Sequence, residues 1–370
     1  MTRNIPLFKP FIPPREKLMP ALEETLYSGY IAQGEKVKEF EKKFGEYIGN
    51  PNVVAVSSCT AALHLALILA GVGPGDEVIS TPMTAEPTNM AILHTGAKIV
   101  WADVNMSTGN MEPDSVREKI TDKTKAIVVV HYGGNPADLS RLKQAAYWHD
   151  ISLIEDCAHA LGAKWNNQHV GTVGDFGCFS FQAIKHMTTV EGGILTINPH
   201  WAITESGPIN NAKRLRWFGI DRDTTRTKVS IDTIGYKYNF NDVLATMGLT
   251  QLRHVKDNIR YHRQNGQWYD ENLKCGREWH LAGANPSYWF YTIFAEPDHR
   301  DRVMKRLREQ GIRRRVWPAG AGREVGGSLR RPRARGHARC AQCGHGRSSD
   351  SAGRGTDLVP HGRLRSAPAG

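Results

Sequence analysis

Short runs of β-branched and aliphatic residues alternate with longer amphipathic stretches between about residues 20 and 200. This alternation is typical of parallel strands joined by helical crossovers. Strands are predicted at 53–56, 77–81, 98–104, 126–131 and 152–156, and helices at 60–70, 87–94, 112–120 and 136–149, the last with a proline in its first turn. The pattern predicts an α/β fold, a three-layer α/β/α domain with a mainly parallel sheet.

The alternation of strands and helices changes after residue 175. Two glycine-bounded β runs, 176–181 and 193–197, lie on either side of a polar loop around Lys185, which indicates an antiparallel or mixed part of the same sheet. A long, mostly polar helix is predicted at 243–272. A smaller α+β unit then begins near Trp279, with a strand at 288–294 and a helix at 299–310.

These elements divide the chain into three parts. Residues 1–250 form a large domain with an N-terminal arm, and residues 251–310 form a linker helix and the start of a small domain. Residues 311–370 form an Arg/Gly-rich tail. The small domain is expected to be incomplete, because no apolar pattern follows the predicted helix at 299–310.

The composition is that of a protein with a large core, at 40% hydrophobic and 23% charged residues, which excludes disorder over the whole length. No run approaches the length of an apolar membrane helix, and the start of the chain lacks the apolar block of a secretory signal. We expect a cytoplasmic protein with no membrane partner. The six cysteines have no regular spacing, so no disulfide framework is predicted.

The formal charge of +11 is concentrated in the tail. Residues 311–370 contain 13 Arg, no Lys, 3 acidic residues and 12 Gly, and they show neither helical nor strand periodicity. The tail is interpreted as disordered or as the product of a frameshift after about Gly311, with a genuine RNA- or membrane-binding arm as the alternative. Cys340 and Cys343 have the spacing of a metal knuckle without a second ligand pair, so no metal site is predicted. The rest of the chain is nearly neutral and no nucleic-acid partner is expected.

Three local features carry candidate chemistry. Residues 57–60, Ser-Ser-Cys-Thr, lie between a strand and a helix, where backbone N–H groups and hydroxyls hold a phosphate, although a simple helix cap is the alternative. Asp156 ends an apolar strand, the position where open α/β sheets place ligand groups. A plain loop cap is the alternative. Lys185 follows an apolar strand that carries Ser180, and a desolvated lysine forms a Schiff base, whereas most loop lysines are solvated.

A fourth feature, Gly-Tyr-Lys-Tyr-Asn-Phe-Asn-Asp at 235–242, has more polar groups than a linker needs. A nucleophilic lysine, a strand-end aspartate and a phosphate cradle are together the parts of a pyridoxal-phosphate site. The combination predicts this cofactor, although each feature alone does not.

The segments GDFGCFSFQAIKHMTTVEGGIL, EDCAHALGA, SSCTAALHLAL and GYKYNFND resemble the DegT-type sugar-nucleotide aminotransferases of the fold type I pyridoxal-phosphate superfamily. The resemblance covers roughly residues 5 to 310, in the order and spacing of that family. It implies that Lys185 is the lysine that bonds to the cofactor and moves protons. It also implies that Asp156 pairs with the pyridine nitrogen and that His159 contacts the ring hydroxyl.

The resemblance assigns further residues to the cofactor phosphate. Ser58, Cys59, Thr60 and Ser180 match the phosphate-binding positions, Cys59 through its backbone N–H. Asn239 matches a residue that reaches the cofactor phosphate of the neighbouring subunit, so a homodimer with shared sites is expected. The family commonly has an aromatic residue near Ala85 to stack on the cofactor ring, and this sequence offers none there.

The resemblance implies a transaminase that moves an amino group from an amino acid, such as glutamate, to a nucleotide-linked keto-deoxysugar. One branch of the family has His in place of the Schiff-base lysine and dehydrates its substrate, whereas this chain has Lys185 followed by His186. Two alternatives stay open, a dehydratase-like variant and a catalytically impaired homologue that binds a partner through its basic tail.

Overall fold

The computed structural model describes residues 5–199, 207–222, 231, 233–274, 279–295 and 297–312. All of them belong to the first of two units into which the chain divides, Met1–Gly322. The predictions for residues 313–370, including the knuckle spacing of Cys340 and Cys343, lie outside the described residues.

Ten strands are found within these ranges, each at most seven residues long. They are β1 (Val53–Val56), β2 (Glu77–Ser80), β3 (Lys98–Trp101), β4 (Thr124–Val130), β5 (Ser152–Asp156), β6 (Lys164–Trp165), β7 (Gln168–His169), β8 (Phe176–Ser180), β9 (Gly193–Ile197) and β10 (Ala284–Asn285).

The same ranges contain ten α-helices. They are α1 (Arg15–Tyr27), α2 (Glu35–Ile48), α3 (Cys59–Leu69), α4 (Glu86–His94), α5 (Pro113–Lys119), α6 (Leu139–Trp148), α7 (Pro208–Leu215), α8 (Asp242–Leu252), α9 (Val255–Asn272) and α10 (Pro297–Glu309).

A seven-stranded sheet organises the fold, with the strand order β1-β9-β8-β5-β4-β2-β3. β2, β3, β4, β5 and β8 pair in parallel, and β9 runs antiparallel to both of its neighbours, β1 and β8. A small antiparallel sheet holds β10, β6 and β7. The predicted mainly parallel sheet with a mixed portion is therefore confirmed.

Helices cover both faces of the large sheet, which gives the predicted three layers. One buried cluster joins the sheet to side chains of α2, α5, α6, α8 and α9, and a second joins it to α3, α4 and α7. Strand β5 shows why two clusters form. Leu153 packs in the first and Ile154 in the second, because successive strand residues point to opposite faces.

β1 is an edge strand whose outer backbone groups are bound by two side chains. Glu41 Oε1 accepts a hydrogen bond from the Ala55 N–H at 2.8 Å, and Arg216 Nη1 donates to the Ala55 carbonyl at 2.8 Å. The two side chains also pair with each other at 2.6 Å. This pair satisfies the edge backbone as a further strand would, and it fixes the strand that leads to the start of α3.

Several sequence predictions need correction. Helix α6 begins at Leu139 because Asp138 caps it by accepting a hydrogen bond from the Arg141 N–H, so Pro136 lies before the helix. The long helix predicted at 243–272 is two helices, α8 and α9, separated at Arg253 and His254.

The strand predicted at 288–294 does not form among the described residues. Tyr288 has a φ of +48°, which no β-strand accommodates. Helix α2 was missed by the sequence analysis, although Val37, Phe40 and Phe44 repeat at helical spacing and are buried. Within the described residues, no helix is both long and apolar enough to cross a membrane.

Candidate active site

The carboxyl ends of the parallel strands bring the predicted site residues to one edge of the large sheet. Ser180 pairs with Gly193 in the β8–β9 register, and Gly193 pairs with Val56 in the β9–β1 register. Val56 in turn forms an isolated antiparallel bridge with Asn239. Ser180, the start of α3 and Asn239 therefore lie along one row of neighbouring strand ends.

The start of α3 has the geometry of an anion cradle. Ser58 is the N-cap residue, and its hydroxyl accepts a hydrogen bond from the Ala61 N–H at 3.1 Å. Ser58 therefore caps the helix, as the alternative interpretation of this segment expected. Helix geometry leaves the backbone N–H groups of Cys59 and Thr60 without intrahelical acceptors. These two groups and the helix dipole are what a phosphate at this position would use.

Gly193 allows the cradle to sit against the sheet. A Cβ atom at this position would lie 2.5 to 2.6 Å from backbone atoms of Ser58 and Cys59. The glycine is thus required for the close approach of β9 to the first turn of α3. This contact ties the position of the predicted phosphate cradle to the strand that follows the Lys185 loop.

Cys59 is a neutral thiol in this setting. Burial raises its pKa well above the ordinary value, the nearby Asp156 and Cys178 raise it further, and the Lys185 amine lowers it. A thiol with a raised pKa is a poor nucleophile. The structure is consistent with the prediction that Cys59 contributes its backbone N–H rather than its sulfur.

Asp156 is buried at the end of β5, and three groups surround its carboxylate. The Thr88 hydroxyl donates to Oδ2 at 2.7 Å, the Ala158 N–H donates to Oδ1 at 3.0 Å, and the Cys59 Sγ lies 3.9 Å from Oδ1. Thr84 in turn shares a 2.8 Å hydrogen bond with Thr88. These three groups are uncharged, and a protonated pyridine nitrogen bound here would add a cationic partner.

Lys185 lies in the loop between β8 and β9 and is partly buried. Its Nζ lies 3.9 Å from the centroid of the Trp289 ring. Its loop follows β8, in which Cys178 pairs with Asp156 of β5 and Ser180 pairs with Gly193, the glycine that packs on the first turn of α3. The structure thus brings together the lysine, the aspartate and the start of α3 that the sequence predicted to cooperate.

His159 is buried three residues beyond β5 and stacks on Trp289, with ring centroids 4.0 Å apart and an interplanar angle of 16°. Its ring also contacts the rings of Tyr132 and Phe290. Asn239 is partly buried, and its side chain donates to the Phe240 carbonyl at 3.4 Å. Whether His159 and Asn239 hold the cofactor stays a prediction.

Ser180 ends β8 and is partly exposed, with its hydroxyl 3.4 Å from the Gln182 N–H. Two residues in contact with the predicted site were missed by the sequence analysis, Thr88 and Trp289. Neither belongs to the segments that carried the prediction. Ala85, where a ring-stacking side chain was sought, is the residue before the first turn of α4.

Glu155 belongs to a separate buried cluster on the opposite face of β5. Its carboxylate accepts hydrogen bonds from the backbone N–H groups of Gly171, Val173 and Gly174 at 2.6 to 2.9 Å, and from His131 Nε2 at 2.9 Å. His131 Nδ1 accepts from the Ala137 N–H, so Nε2 is the protonated nitrogen.

Cys157 lies close enough to His131 and Glu155 for the three to form a potential metal-ligand group. The imidazole and carboxylate atoms of this group are already used in protein hydrogen bonds, and burial raises the pKa of the Cys157 thiol. The cluster therefore acts as a structural network in this fold.

The residues at the sheet edge fit pyridoxal phosphate. An amine, a buried carboxylate held by neutral donors, and a helix N-terminus against a glycine are the three contacts that its aldehyde, pyridine nitrogen and phosphate need. A three-layer α/β fold with this site defines a pyridoxal-phosphate-dependent aminotransferase.

The chain belongs to the DegT/DnrJ/EryC1/StrS aminotransferase family, which matches residues 14–320. The match extends past Gly311, where the sequence analysis placed the start of the tail. Members of this family depend on pyridoxal 5'-phosphate, so the cofactor predicted from the sequence is confirmed, as is the aminotransferase class.

Three similar proteins illustrate the relationship. The spore coat polysaccharide biosynthesis protein SpsC of Bacillus subtilis is 38% identical over 236 residues, which are 63% of this chain and 60% of SpsC. The sugar aminotransferase CalS13 of Micromonospora echinospora is 34% identical with a TM-score of 0.76, over 82% of this chain and 84% of its own. The PLP form of Spr1654 from Streptococcus pneumoniae is 31% identical with a TM-score of 0.77, over 84% and 83%.

Proposed function

We propose that this protein transfers an amino group from an amino acid, with glutamate as the preferred donor, to a nucleotide-linked keto-deoxysugar. The observation that supports the proposal is the sheet register, in which the strand ends that carry Asp156 and lead to the Lys185 loop are neighbours and Gly193 packs on the N-terminus of α3. The sugar substrate is supported by the similarity to CalS13 and by the polysaccharide role in the name of SpsC. Its location in the cytoplasm stays a prediction.

We assign a different role to each of the candidate site residues. Lys185 would hold the cofactor through its aldehyde and, when its amine is free, would carry a proton between the substrate carbon and the cofactor carbon. Asp156 holds the ring nitrogen in its protonated form, and the start of α3 with Ser180 holds the phosphate. The cofactor supplies the electron sink for the carbanion chemistry.

The covalent bond to Lys185 is tested by borohydride reduction of the purified, cofactor-loaded protein, followed by peptide mapping. We expect the reduced adduct on Lys185, and we expect Lys185→Ala to lose all turnover while it still binds the cofactor noncovalently. Lys43→Ala is the matched control, because Lys43 is half exposed on α2 and pairs with Glu46. Normal turnover in Lys185→Ala would overturn the assignment.

The substrate is tested with the loaded protein and a panel of amino-acid donors and nucleotide-linked keto-deoxysugars. We expect glutamate to convert the cofactor to its amine form, and a keto-sugar to restore the aldehyde form with an amino-sugar as product. A product that has lost a hydroxyl and gained no amine would identify the dehydratase-like alternative instead.

We also propose that the enzyme is a homodimer in which Asn239 completes the site of the neighbouring subunit. The support is the match of Asn239 to the family position that reaches the neighbouring subunit; within its own chain Asn239 forms a bridge with Val56. The test mixes Lys185→Ala and Asn239→Ala subunits, each inactive or weakened alone. A shared site leaves one of the two sites intact in the mixed dimer, so activity should reappear, whereas sites built from one chain give no recovery.

The tail is proposed to be a frameshift product, as its Arg/Gly composition indicates. The family match ends at residue 320, close to the point where the composition changes. Sequencing the gene across codons 305–325 tests the proposal. A single-base correction that restores an apolar pattern supports it, and an unchanged reading frame overturns it.

A further inference from the structure

The indole of Trp289 contacts two candidate site residues that are more than 100 positions away in the chain. It lies 3.9 Å from Lys185 Nζ, measured to the ring centroid, and stacks on His159 at 4.0 Å. A third ring, that of Phe8 in the N-terminal arm, stacks on it at 5.0 Å with an angle of 21°. Trp289 is 6% exposed, so its contact with the amine is shielded from water.

The Trp289 ring is attached to the lysine loop itself. Its Nε1–H donates to the carbonyl of Ile184 at 2.9 Å, and Ile184 directly precedes Lys185. The next residue, His186, is buried and bonds through Nε2 to the Ser287 carbonyl at 3.0 Å. The loop and the segment 286–290 are therefore joined on both sides of Lys185.

The segment 286–290 is also held from α9. His262 bonds through Nδ1 to the Tyr288 carbonyl at 2.8 Å, and Arg263 Nε donates to the Pro286 carbonyl at 3.0 Å. Both carbonyls belong to residues that precede Trp289 in the chain. They fix the backbone from which the indole projects.

The backbone of this segment is strained. Tyr288 has a φ of +48°, which is rare for an aromatic residue and is maintained only where surrounding contacts determine it. A Cβ at Gly134 would lie 2.9 Å from the His159 carbonyl and 3.0 Å from the Trp289 N atom. The fold thus accepts strain and close packing to place an aromatic face beside the lysine amine.

We propose that Trp289 is a positioning residue that holds Lys185 Nζ and stabilises positive charge on this nitrogen, both when the amine is free and when it is bonded to the cofactor. The bonded case rests on the proposed function. An aromatic face attracts a cation through its quadrupole, and the attraction is strongest where water is excluded.

Other groups near the amine contribute charge of their own. The Asp156 carboxylate favours a positive nitrogen, while Cys59 and His186 stay neutral because burial raises the pKa of the thiol and lowers that of the imidazole. His159 shares the indole with the lysine. Trp289→Phe keeps a ring beside both His159 and the amine but lacks the indole N–H, so its comparison with Trp289→Leu separates the aromatic face from the hydrogen bond to Ile184.

The first measurement is made on the cofactor-free protein. The rate at which acetic anhydride labels Lys185 is followed by mass spectrometry as a function of pH, and its midpoint reports the loss of the proton from Nζ. In Trp289→Leu the midpoint should fall by about one pH unit, the equivalent of a buried cation–π contact. Trp289→Phe keeps an aromatic face and should recover most of the shift. Trp268→Leu, a change of a half-exposed tryptophan on α9, should leave the midpoint unchanged.

The second measurement uses the visible absorbance of the loaded protein, whose band depends on the charge of the cofactor-linked nitrogen. Its pH midpoint should move in the same direction in Trp289→Leu and recover in Trp289→Phe. An unchanged midpoint in Trp289→Leu in the labelling experiment, or an equal shift in both variants, would overturn the inference. A wild-type protein that forms no covalent bond with the cofactor would overturn the proposed function alone, because the labelling experiment needs no cofactor.

Discussion

Glu155 and Asp156 are neighbours in the same strand, both are buried, and they face two different environments. Glu155 accepts four hydrogen bonds, three of them from backbone N–H groups, whereas Asp156 accepts one from a backbone N–H and one from the Thr88 hydroxyl, with a thiol nearby. The Glu155 cluster is a closed network. The Asp156 cluster has neutral, rotatable donors and an amine nearby.

The difference follows from the alternation of side chains along β5. Glu155 points toward the loop 171–174, where three N–H groups converge on one carboxylate and satisfy it without a cation. Asp156 points toward the start of α3 and the Lys185 loop. A buried carboxylate saturated by backbone donors fixes a loop, and one left with side-chain donors keeps its charge available for chemistry.

The largest expected effect is on the Asp156 side. Asp156→Asn removes the charge that holds the ring nitrogen protonated, so turnover should fall by roughly 10² to 10³-fold. The Thr88 hydroxyl can rotate to suit the amide, so the free energy of unfolding should change by less than about 1 kcal/mol. Steady-state kinetics measure the turnover, and urea unfolding measures the change in the free energy of unfolding. Unchanged kinetics would remove Asp156 from the site.

Glu155→Gln should show the reverse. An amide NH₂ at this position would face the N–H donors of the 171–174 loop, so unfolding free energy should fall by about 2 to 4 kcal/mol. At a temperature where the variant is folded, its turnover should stay within a few-fold of wild type. A loss of turnover as large as that of Asp156→Asn, without a loss of stability, would show that the two carboxylates do not differ as the structure indicates.

The free energy of unfolding should fall in acid because two histidines near the candidate site are buried. Burial lowers the pKa of His186 well below its usual range and also lowers that of His262. The unfolded chain therefore binds protons more readily at these positions, and stability should be lost as pH falls below about 6.5, the ordinary histidine value. Each histidine should contribute about 1 kcal/mol of loss per pH unit.

Urea unfolding at pH 7.5 and 5.5 measures this slope. His186→Gln should reduce it, because glutamine can still donate to the Ser287 carbonyl but does not titrate. His149→Gln, at an exposed position that follows α6, should leave the slope as it is. An equal slope in wild type and His186→Gln would contradict the role given to His186.

The smallest expected effect concerns strain in the Lys185 loop. Val190 has a φ of +71° and is 55% exposed, and a β-branched residue is poorly suited to this conformation. Val190→Gly should stabilise the protein by about 1 kcal/mol. Asp150→Gly at a φ of +52° is the control with the smaller gain, because aspartate tolerates this region better. No gain in Val190→Gly would show that the loop carries no strain there.

Much of the sheet was predictable because its signals are local. The bounds of β1 and β5 match the predictions, since each is a short apolar run next to polar or glycine-containing turns. A helix cap within residues 57–60 was considered as the alternative to a phosphate cradle, and Ser58 is the residue that caps, through a contact only three positions away. Lys185, Asp156 and the start of α3 were predicted to cooperate because together they are the parts of a pyridoxal-phosphate site, and Asp156 because open α/β sheets place ligand groups at strand ends.

The errors arise where distant contacts override local preference. Residues 288–294 have the composition of a strand, but His262 binds the Tyr288 carbonyl, His186 binds the carbonyl of the preceding Ser287, and Tyr288 adopts a positive φ. The break between α8 and α9 falls at Arg253 and His254, where neither residue is a proline or glycine that would predict the end of a helix.

The sequence by itself determined the layered α/β fold, the family and the candidate site residues, because periodicity and short motifs are properties of neighbouring positions. Only the tertiary structure decided which surroundings each residue has. It separated Glu155 from Asp156, joined Thr88 to the aspartate and placed Trp289 against the lysine. Such contacts depend on how whole elements pack, and no spacing along the chain records the distance between two side chains that packing brings together.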